Sequence, residues 1–228
     1  MKRKYKINDD YFSVIDSEEK AYWLGFITAD GCVHHDNKKY DKINILAVHL
    51  AIVDLPHVEK LKKSLDTDYK IHIKQRGVSC QLRVTSLKIC NDLSNYGVVA
   101  RKTGKTDPIN IPEQFEVPYW RGYIDGDGSL HEASTKTKFG VYDIPVLSVS
   151  GDYKVIYKFK HFLRKNGIVV SDNETFYRNV YKYRVINTKA MSAIKLLYSN
   201  ASIFLDRKYK CFTDMSLKFA NSTTIRSY

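Results

Sequence analysis

Two aspartates in this chain stand where a carboxylate has a physical reason to seek a cation. Asp30 closes the segment Ala21-Tyr22-Trp23-Leu24-Gly25-Phe26-Ile27-Thr28-Ala29-Asp30-Gly31, and Asp127 closes Val117-Pro118-Tyr119-Trp120-Arg121-Gly122-Tyr123-Ile124-Asp125-Gly126-Asp127-Gly128. Each segment reads as a helix that ends at its Asp-Gly pair. The C-terminal end of a helix carries partial negative charge, so a carboxylate there is disfavoured by ~0.3–1 kcal/mol. If the two helices pack in parallel, the carboxylates converge and also repel. A divalent cation held by both removes both penalties, and hard oxygen ligands select Mg²⁺ over zinc. Such an ion activates water and stabilises a leaving oxygen in phosphodiester cleavage. One Asp-Gly alone is equally well a helix stop followed by a turn; two in matching context point to a pair.

The match is part of an internal repeat. Tyr-Trp, Gly, Ile and Asp-Gly recur 97 residues apart, as do His34 and His131. Asp54 and Asp152 follow at 98, then Arg83-Val84 and Arg184-Val185, with Lys88 and Lys189, at 101. An offset that grows slowly and stays in order is what loops of unequal length in two copies of one unit produce. The first half spans 1–98, a Lys/Thr/Pro-rich linker 99–114, and the second half 115–228 with a basic amphipathic helix from Ile203 to Ala220.

Each copy must position its aspartate with the same elements. In the first, a helix runs over Ser17–Asp30, capped by Asp16 or Ser17, followed by strands at Gly31–Asp36 and Ile43–Ala51. Asp54 caps a helix through Leu65, strands follow at Tyr69–Gln75 and Cys80–Thr85 around the turn Arg76-Gly77-Val78-Ser79, and a helix over Leu87–Tyr96 stops at Gly97. The second copy repeats the order over Pro118–Asp127, Ser129–Ser134, Val141–Ser150, Asp152–Asn166, Glu174–Arg178, Tyr181–Ile186 and Lys189–Ser199. Pro145 inside a strand predicts that this strand is an edge or bulged. The result is an α+β layer, αββαββα in each half, with helices on one sheet face.

The glycines say how the halves meet. Gly25 and Ala29 share one helix face, as do Gly122 and Gly126. A helical glycine costs ~1 kcal/mol relative to alanine, so two in a short helix need a reason. Direct backbone contact between the two helices, across a pseudo-twofold axis, supplies it.

Bulk properties narrow the function classes. The chain has 228 residues, 43% of them hydrophobic, enough for a real core. It has 37 Lys plus Arg against 25 Asp plus Glu, a net charge of +12, which favours a polyanionic partner. No apolar run is long enough to span a membrane, and no secretory signal is visible. The four cysteines, Cys32, Cys80, Cys90 and Cys211, lack metal-ligand spacing. They fit a reducing compartment such as a cytoplasm.

Trp23–Gly31 and Trp120–Gly128 resemble the two motifs of the LAGLIDADG homing endonucleases, the second more closely. Thr28 replaces the earlier acidic residue of the first motif, while the later acidic position, tied to metal binding in that family, is Asp in both. The resemblance implies a monomeric, site-specific double-strand endonuclease whose relatives spread mobile introns or inteins. It implies Mg²⁺ at Asp30 and Asp127 with the adjoining Gly31 and Gly128, with Mn²⁺ as a substitute and Ca²⁺ supporting binding without cleavage. It also implies a basic residue near each metal, here Lys102 and Lys208, with Arg101 and Arg207 as their neighbours in register. Ile52 and Val53 stand where the family often has polar residues, so nothing carries over to them. Two other activities share the fold: an RNA maturase acting on intron RNA, and a catalytically silent DNA-binding regulator. The initial Met and the terminal Ser227-Tyr228 do not fit an intein.

Hairpin alternation supports a DNA-reading surface independently. Ile71 and Ile73 point one way, Lys70, His72 and Lys74 the other. Leu82 and Val84 face the core, while Gln81, Arg83 and Thr85 face out. With Arg76 at the turn, and Tyr177, Lys182 and Arg184 in the second copy, this gives a sheet face of donors that read phosphates and purine edges. Two such saddles end to end cover a long asymmetric duplex site. His34 and His131, roughly 13 Å along a strand from their aspartates, read as DNA contacts or as echoes of the repeat.

Overall fold

The computed structural model describes residues 4–38, 41–98, 111–138 and 140–220. It divides into two compact units, Met1–Gly126 and Asp127–Tyr228.

In the first unit, α1 (Glu18–Asp30) leads into β1 (Gly31–Lys38) and β2 (Asp41–Ala51). Helix α2 (Leu55–Ser64), strands β3 (Ile71–Lys74) and β4 (Ser79–Thr85) and helix α3 (Leu87–Asn95) complete the repeat, and α4 (Glu116–Asp127) follows. The sheet is antiparallel in the order β1-β2-β4-β3. Ser17 caps α1 by accepting from the Lys20 amide at 3.3 Å, and Ser86 caps α3 through the Ile89 amide. Gly97 adopts a positive φ of 80° after α3, the left-handed conformation glycine permits. Asp54 sits at the start of α2, but its side chain makes no capping hydrogen bond. That expectation is corrected: Asp54 ends a 3-10 turn over Ile52–Asp54 and is buried.

The second unit repeats the topology with β5 (Gly128–Thr137), β6 (Gly140–Gly151), α5 (Tyr153–Lys165), β7 (Thr175–Tyr177), β8 (Val180–Ile186) and α6 (Asn187–Tyr198), closed by α7 (Asp206–Ala220). Its sheet order is β5-β6-β8-β7. Pro145 departs from expectation. Strand β6 is central, and the β5–β6 register runs without a bulge from Gly128↔Val149 to Thr137↔Gly140. Pairing with β8 starts only at Val146↔Ile186, so Pro145 lies just past the point where a second neighbour would need its missing N–H. Helix α4 starts at Glu116, ahead of Pro118, and α7 starts at Asp206, later than the apolar pattern from Ile203 suggests.

Each core lies between one sheet face and its helices. Val33, Leu46, Val48, Leu82 and Val84 are buried against α2 and α3, with Cys80 and Cys90 among them. Val149, Tyr183 and Val185 are buried against α5 and α6. Burial pushes the Cys90 thiol up to about 11, so it is an inert core residue. Ile73 lies on the side of its buried partner Cys80, as the alternation expects, but β3 is an edge strand and Ile73 is 52% exposed. Among the described residues no helix is long and apolar enough to cross a membrane.

Candidate metal centre and nucleic-acid interface

Helices α1 and α4 run in the same direction and touch backbone to backbone through the first unit's glycines. A Cβ built on Gly25 would fall 1.9 Å from the Tyr119 carbonyl oxygen, and one on Gly122 would fall 2.0 Å from the Tyr22 carbonyl oxygen. The contact is reciprocal, since each glycine meets the tyrosine three residues before the other glycine. Further along, a Cβ on Gly126 would fall 2.5 Å from the Ala29 Cβ and 3.3 Å from the Asp30 Cβ. The four small residues therefore form one seam, and it ends beside Asp30.

Asp30 is exposed at the last position of α1, with no basic residue in that turn. Gly31 follows with φ −77°, an extended conformation open to any residue. Glycine is required there for space instead, because a Cβ would meet Ile27 Cγ2 at 2.6 Å and the Ile27 carbonyl oxygen at 2.7 Å. Asp127 is likewise exposed and ends α4, again with no basic residue in the last turn. In the second unit Lys208, buried at the start of α7, donates to the Gly128 carbonyl oxygen at 2.7 Å. An ammonium thus sits on the residue directly after Asp127. Its neighbour Arg207 is exposed, so of the two basic candidates the structure places Lys208 at the helix end. Lys102, Arg101 and the linker over 99–110 lie outside the described residues.

Each of these carboxylates lies exposed at the negative end of its own helix, adjoined by strand backbone, an oxygen chemistry that a hard divalent ion would accept. Among the described residues no three His, Cys, Asp or Glu side chains gather as a ligand group. An ion held by these carboxylates would need further ligands from carbonyls, water or phosphate, as Mg²⁺ commonly takes.

The seam also holds a buried polar network that the motif positions did not announce. The Tyr22 hydroxyl donates to Asp125 Oδ2 at 2.7 Å and lies 3.0 Å from His57 Nε2. Having given its one proton to Asp125, Tyr22 must accept from His57, which fixes the proton on Nε2. Asp125 is 1% exposed. Arg121, also buried, pairs with Glu18 and lies 5.8 Å from the Tyr22 ring centre. The reciprocal position differs. The Tyr119 hydroxyl is buried without a hydrogen-bond partner, while Thr28 donates to the Leu24 carbonyl of its own helix at 2.7 Å. Burial pushes the Tyr119 phenol well above its ordinary range. The one sequence signal for this network is the charged Asp125 inside an otherwise buried helix.

On the first sheet, the face away from α2 and α3 is set by register, because directly paired residues share a side. His49, Gln81 and His72 form one row; Cys32, Ala47 and Arg83 another; His34, Ile45 and Thr85 a third. His72, Lys74, Arg83 and Lys70 are exposed, Gln81 is half-buried, and Arg76 occupies the turn with φ 53°. His34 lies on this face, 3.2 Å from Cys32 Sγ. On the second sheet the corresponding rows are Ser129, Ser148 and Arg184, then Ser150, Lys182 and Thr175. Tyr177 joins this face through its pairing with Val180, with Lys182 Nζ 6.0 Å and Arg178 5.0 Å from its ring centre. His131 lies on the same side, 3.4 Å from Ser129. Sequence reading missed His49, Ser148 and Ser150, although the alternation in β2 and β6 could have found them.

The chain superposes on solved LAGLIDADG meganucleases along nearly its whole length and shares their fold. Residues 114–195 match the family profile of the LAGLIDADG-like domain. The meganuclease I-LtrWI, solved bound to target DNA, is 14% identical and superposes with a TM-score of 0.68 over 96% of this chain and 92% of its own. I-SmaMI, bound to uncleavable DNA, is 16% identical, with a TM-score of 0.66 over 90% and 91%. I-AabMI, bound to uncleaved DNA, is 15% identical, with a TM-score of 0.64 over 89% and 91%. No curated protein matches the chain in sequence.

Proposed function

We propose that this protein is a site-specific double-strand DNA endonuclease that acts as a monomer and uses a divalent metal, Mg²⁺ by preference. The observation that carries this reading is the glycine seam of α1 and α4, which costs helix propensity and brings the exposed Asp30 carboxylate beside the last turn of the helix that ends in Asp127. In this reading Asp30 and Asp127 are the carboxylate ligands, with backbone at Gly31 and Gly128 adjoining. The bound ion supplies Lewis acidity and an acidified water at the scissile phosphate. Lys208 holds positive charge beside Asp127, where it offsets charge developing on the phosphate oxygens. Lys102 is the proposed counterpart for Asp30.

The outward sheet faces are the proposed duplex-binding surface. Arg83 and Arg184 occupy equivalent rows, and His72, Lys74, Gln81, Lys182 and Tyr177 extend them as base-edge or phosphate contacts. Lys70 and Arg76 flank the first hairpin. Three similar structures were solved on DNA, and I-SmaMI was also solved on an uncleaved target in the presence of calcium ions. Both facts support duplex DNA as partner and Ca²⁺ as an ion that permits binding without cleavage.

The test is cleavage of a randomised-site duplex library with Mg²⁺ or Mn²⁺, for wild type, Asp30→Asn and Asp127→Asn. Cleavage should require both aspartates and stop in EDTA, while binding in Ca²⁺ survives each substitution. Wild-type cleavage by both variants would overturn the metal assignment. Selective binding without cleavage in any divalent ion would mark a DNA-binding regulator instead.

A further inference from the structure

The last turn of α4 is the weaker of the two motif-helix ends. It contains Gly126 where α1 has Ala29, and glycine is the poorer helix former. Alanine does not fit in its place, since a Cβ there would fall 2.5 Å from the Ala29 Cβ. Helix ends also fray, because their last carbonyls lack partners within the helix. Asp127 is the final residue of this turn. A carboxylate that must hold an ion in fixed geometry therefore stands where its helix is intrinsically least rigid.

The buried chain of Asp125, Tyr22 and His57 ties that turn down. Asp125 accepts from the Tyr22 hydroxyl at 2.7 Å, and the Tyr22 oxygen lies 3.0 Å from His57 Nε2. The His57 ring centre lies 4.8 Å from that of Trp23 and 4.9 Å from that of Phe26, so side chains of α1 wedge it in place. All three members of the chain are buried, and solvent does not compete for their bonds. The last turn of α4 is thus linked to α1 through Tyr22 and to the first turn of α2 through His57. Asp125 and Asp127 are two residues apart, about 3 Å along the helix axis and roughly 200° around it. A turn pinned on one face cannot roll, so the bond to Asp125 fixes the direction in which Asp127 points on the other.

The repeat shows that the fold itself does not demand this tether. In the matching turn of α1, alanine replaces the glycine and Thr28 closes on its own helix through the Leu24 carbonyl. Tyr119, the counterpart of Tyr22, is buried with its hydroxyl unpaired, and Val155 stands in the place of His57. Of the two motif helices, only the one weakened by glycine in its last turn carries the tether.

We infer that Tyr22 and His57 are positioning residues for the end of α4: acting through Asp125, they set the orientation of Asp127. The inference rests on the endonuclease reading, in which Asp127 is a metal ligand. Groups that orient a metal ligand without touching the metal typically contribute about 10- to 100-fold to metal affinity or activity. Because Asp127 belongs to the second half, its misalignment falls on one of the two scissile phosphates more than on the other.

The test combines Mn²⁺ binding by the full chain, read by electron paramagnetic resonance, with single-turnover cleavage of a duplex labelled on both strands. Tyr22→Phe and His57→Leu should each weaken Mn²⁺ binding about tenfold, and slow one strand's scission about tenfold more than the other's. His57→Gln, which keeps a donor near the Nε2 position, should retain most of the wild-type affinity and strand ratio. Tyr119→Phe should leave both unchanged. A merely structural loss lowers the folded fraction and slows both strands alike, so it leaves their ratio at the wild-type value. An unchanged strand ratio or an unchanged Mn²⁺ affinity in Tyr22→Phe would overturn the inference, while wild-type cleavage keeps the endonuclease reading standing. So would equal effects from Tyr119→Phe. A wild-type chain that takes up no Mn²⁺ and cuts no duplex would instead remove the endonuclease reading, and the inference with it.

Discussion

Tyr22 and Tyr119 occupy reciprocal places on α1 and α4, yet removing their hydroxyls should have opposite effects. Tyr22→Phe keeps the ring and its packing but deprives two buried groups of a partner. Asp125, 1% exposed, loses a donor at 2.7 Å, and His57, also 1% exposed, loses the acceptor for its Nε2 proton at 3.0 Å. Leaving a buried polar group short of a partner costs ~1–3 kcal/mol, more where it is charged. Two such groups bring the expected loss to about 3 kcal/mol, or roughly 6–12 °C in Tm for a chain of this size. Tyr119→Phe removes a buried hydroxyl that makes no hydrogen bond, so its stability should be unchanged or raised by up to ~1 kcal/mol. Urea titration of both variants, with the m-value checked, measures the difference. Asp125→Leu added to Tyr22→Phe should recover part of the loss, because it replaces the orphaned carboxylate by an apolar group. Equal destabilisation by the two Tyr→Phe changes would refute the account, since packing alone would then explain both. So would a neutral Tyr22→Phe.

Gly25→Ala should lower stability by ~2 kcal/mol although alanine favours a helix by ~1 kcal/mol, because the new methyl falls 1.9 Å from a backbone oxygen that cannot turn away. Its cleavage rate should fall by about a hundredfold as the helices separate, and an unchanged urea midpoint would contradict the contact. Lys208→Met should reduce cleavage by ~10- to 1,000-fold with duplex binding intact, whereas Arg207→Ala leaves the rate near wild type; single-turnover kinetics on a mapped target decides this. Hydrogen bonds from Lys160 hold Asp172 and Glu174 below the ordinary carboxylate range. Depressed folded pKa values mean that this stabilisation is present above about pH 4.5 and is lost as pH falls through the folded values. The urea midpoint should therefore decline below about pH 4.5, and Lys160→Met should flatten that decline.

The elements of this fold were legible because each is written twice. An ambiguous run such as Tyr181–Ile186 gains a strand assignment from Cys80–Thr85, which it echoes, and both are strands paired in the same order. The seam was legible because Gly25 and Gly122 violate helix propensity at matching places. What stayed hidden is what local pattern does not encode. Pro145 looked like an edge signal, but a central strand has a partner only as far as its neighbour extends, and β8 stops one residue short. Ile73 alternates correctly with His72 and Lys74, yet β3 is an edge strand and leaves it half exposed, so alternation set its side without setting its burial.

The departures from the repeat carry the information that the repeat itself cannot. Thr28 against Asp125 breaks the motif, and the structure shows the price on each side: a satisfied Tyr22 in one place and an unsatisfied Tyr119 in the other. His57 has no counterpart either, since Val155 stands at the matching place, so the network exists on one side only. A perfectly symmetric pair of helices would bury two carboxylates in one seam, where like charges raise each other's cost. Keeping one and replacing the other by a hydroxyl that bonds its own helix avoids that cost. Tyr153 and Tyr157 against Leu55 and Glu59 are a departure of another kind, on an exposed face where no packing constraint asks for a ring. Asymmetry inside the seam is thus explained by burial and charge, whereas the exposed rings Tyr153 and Tyr157 answer to neither.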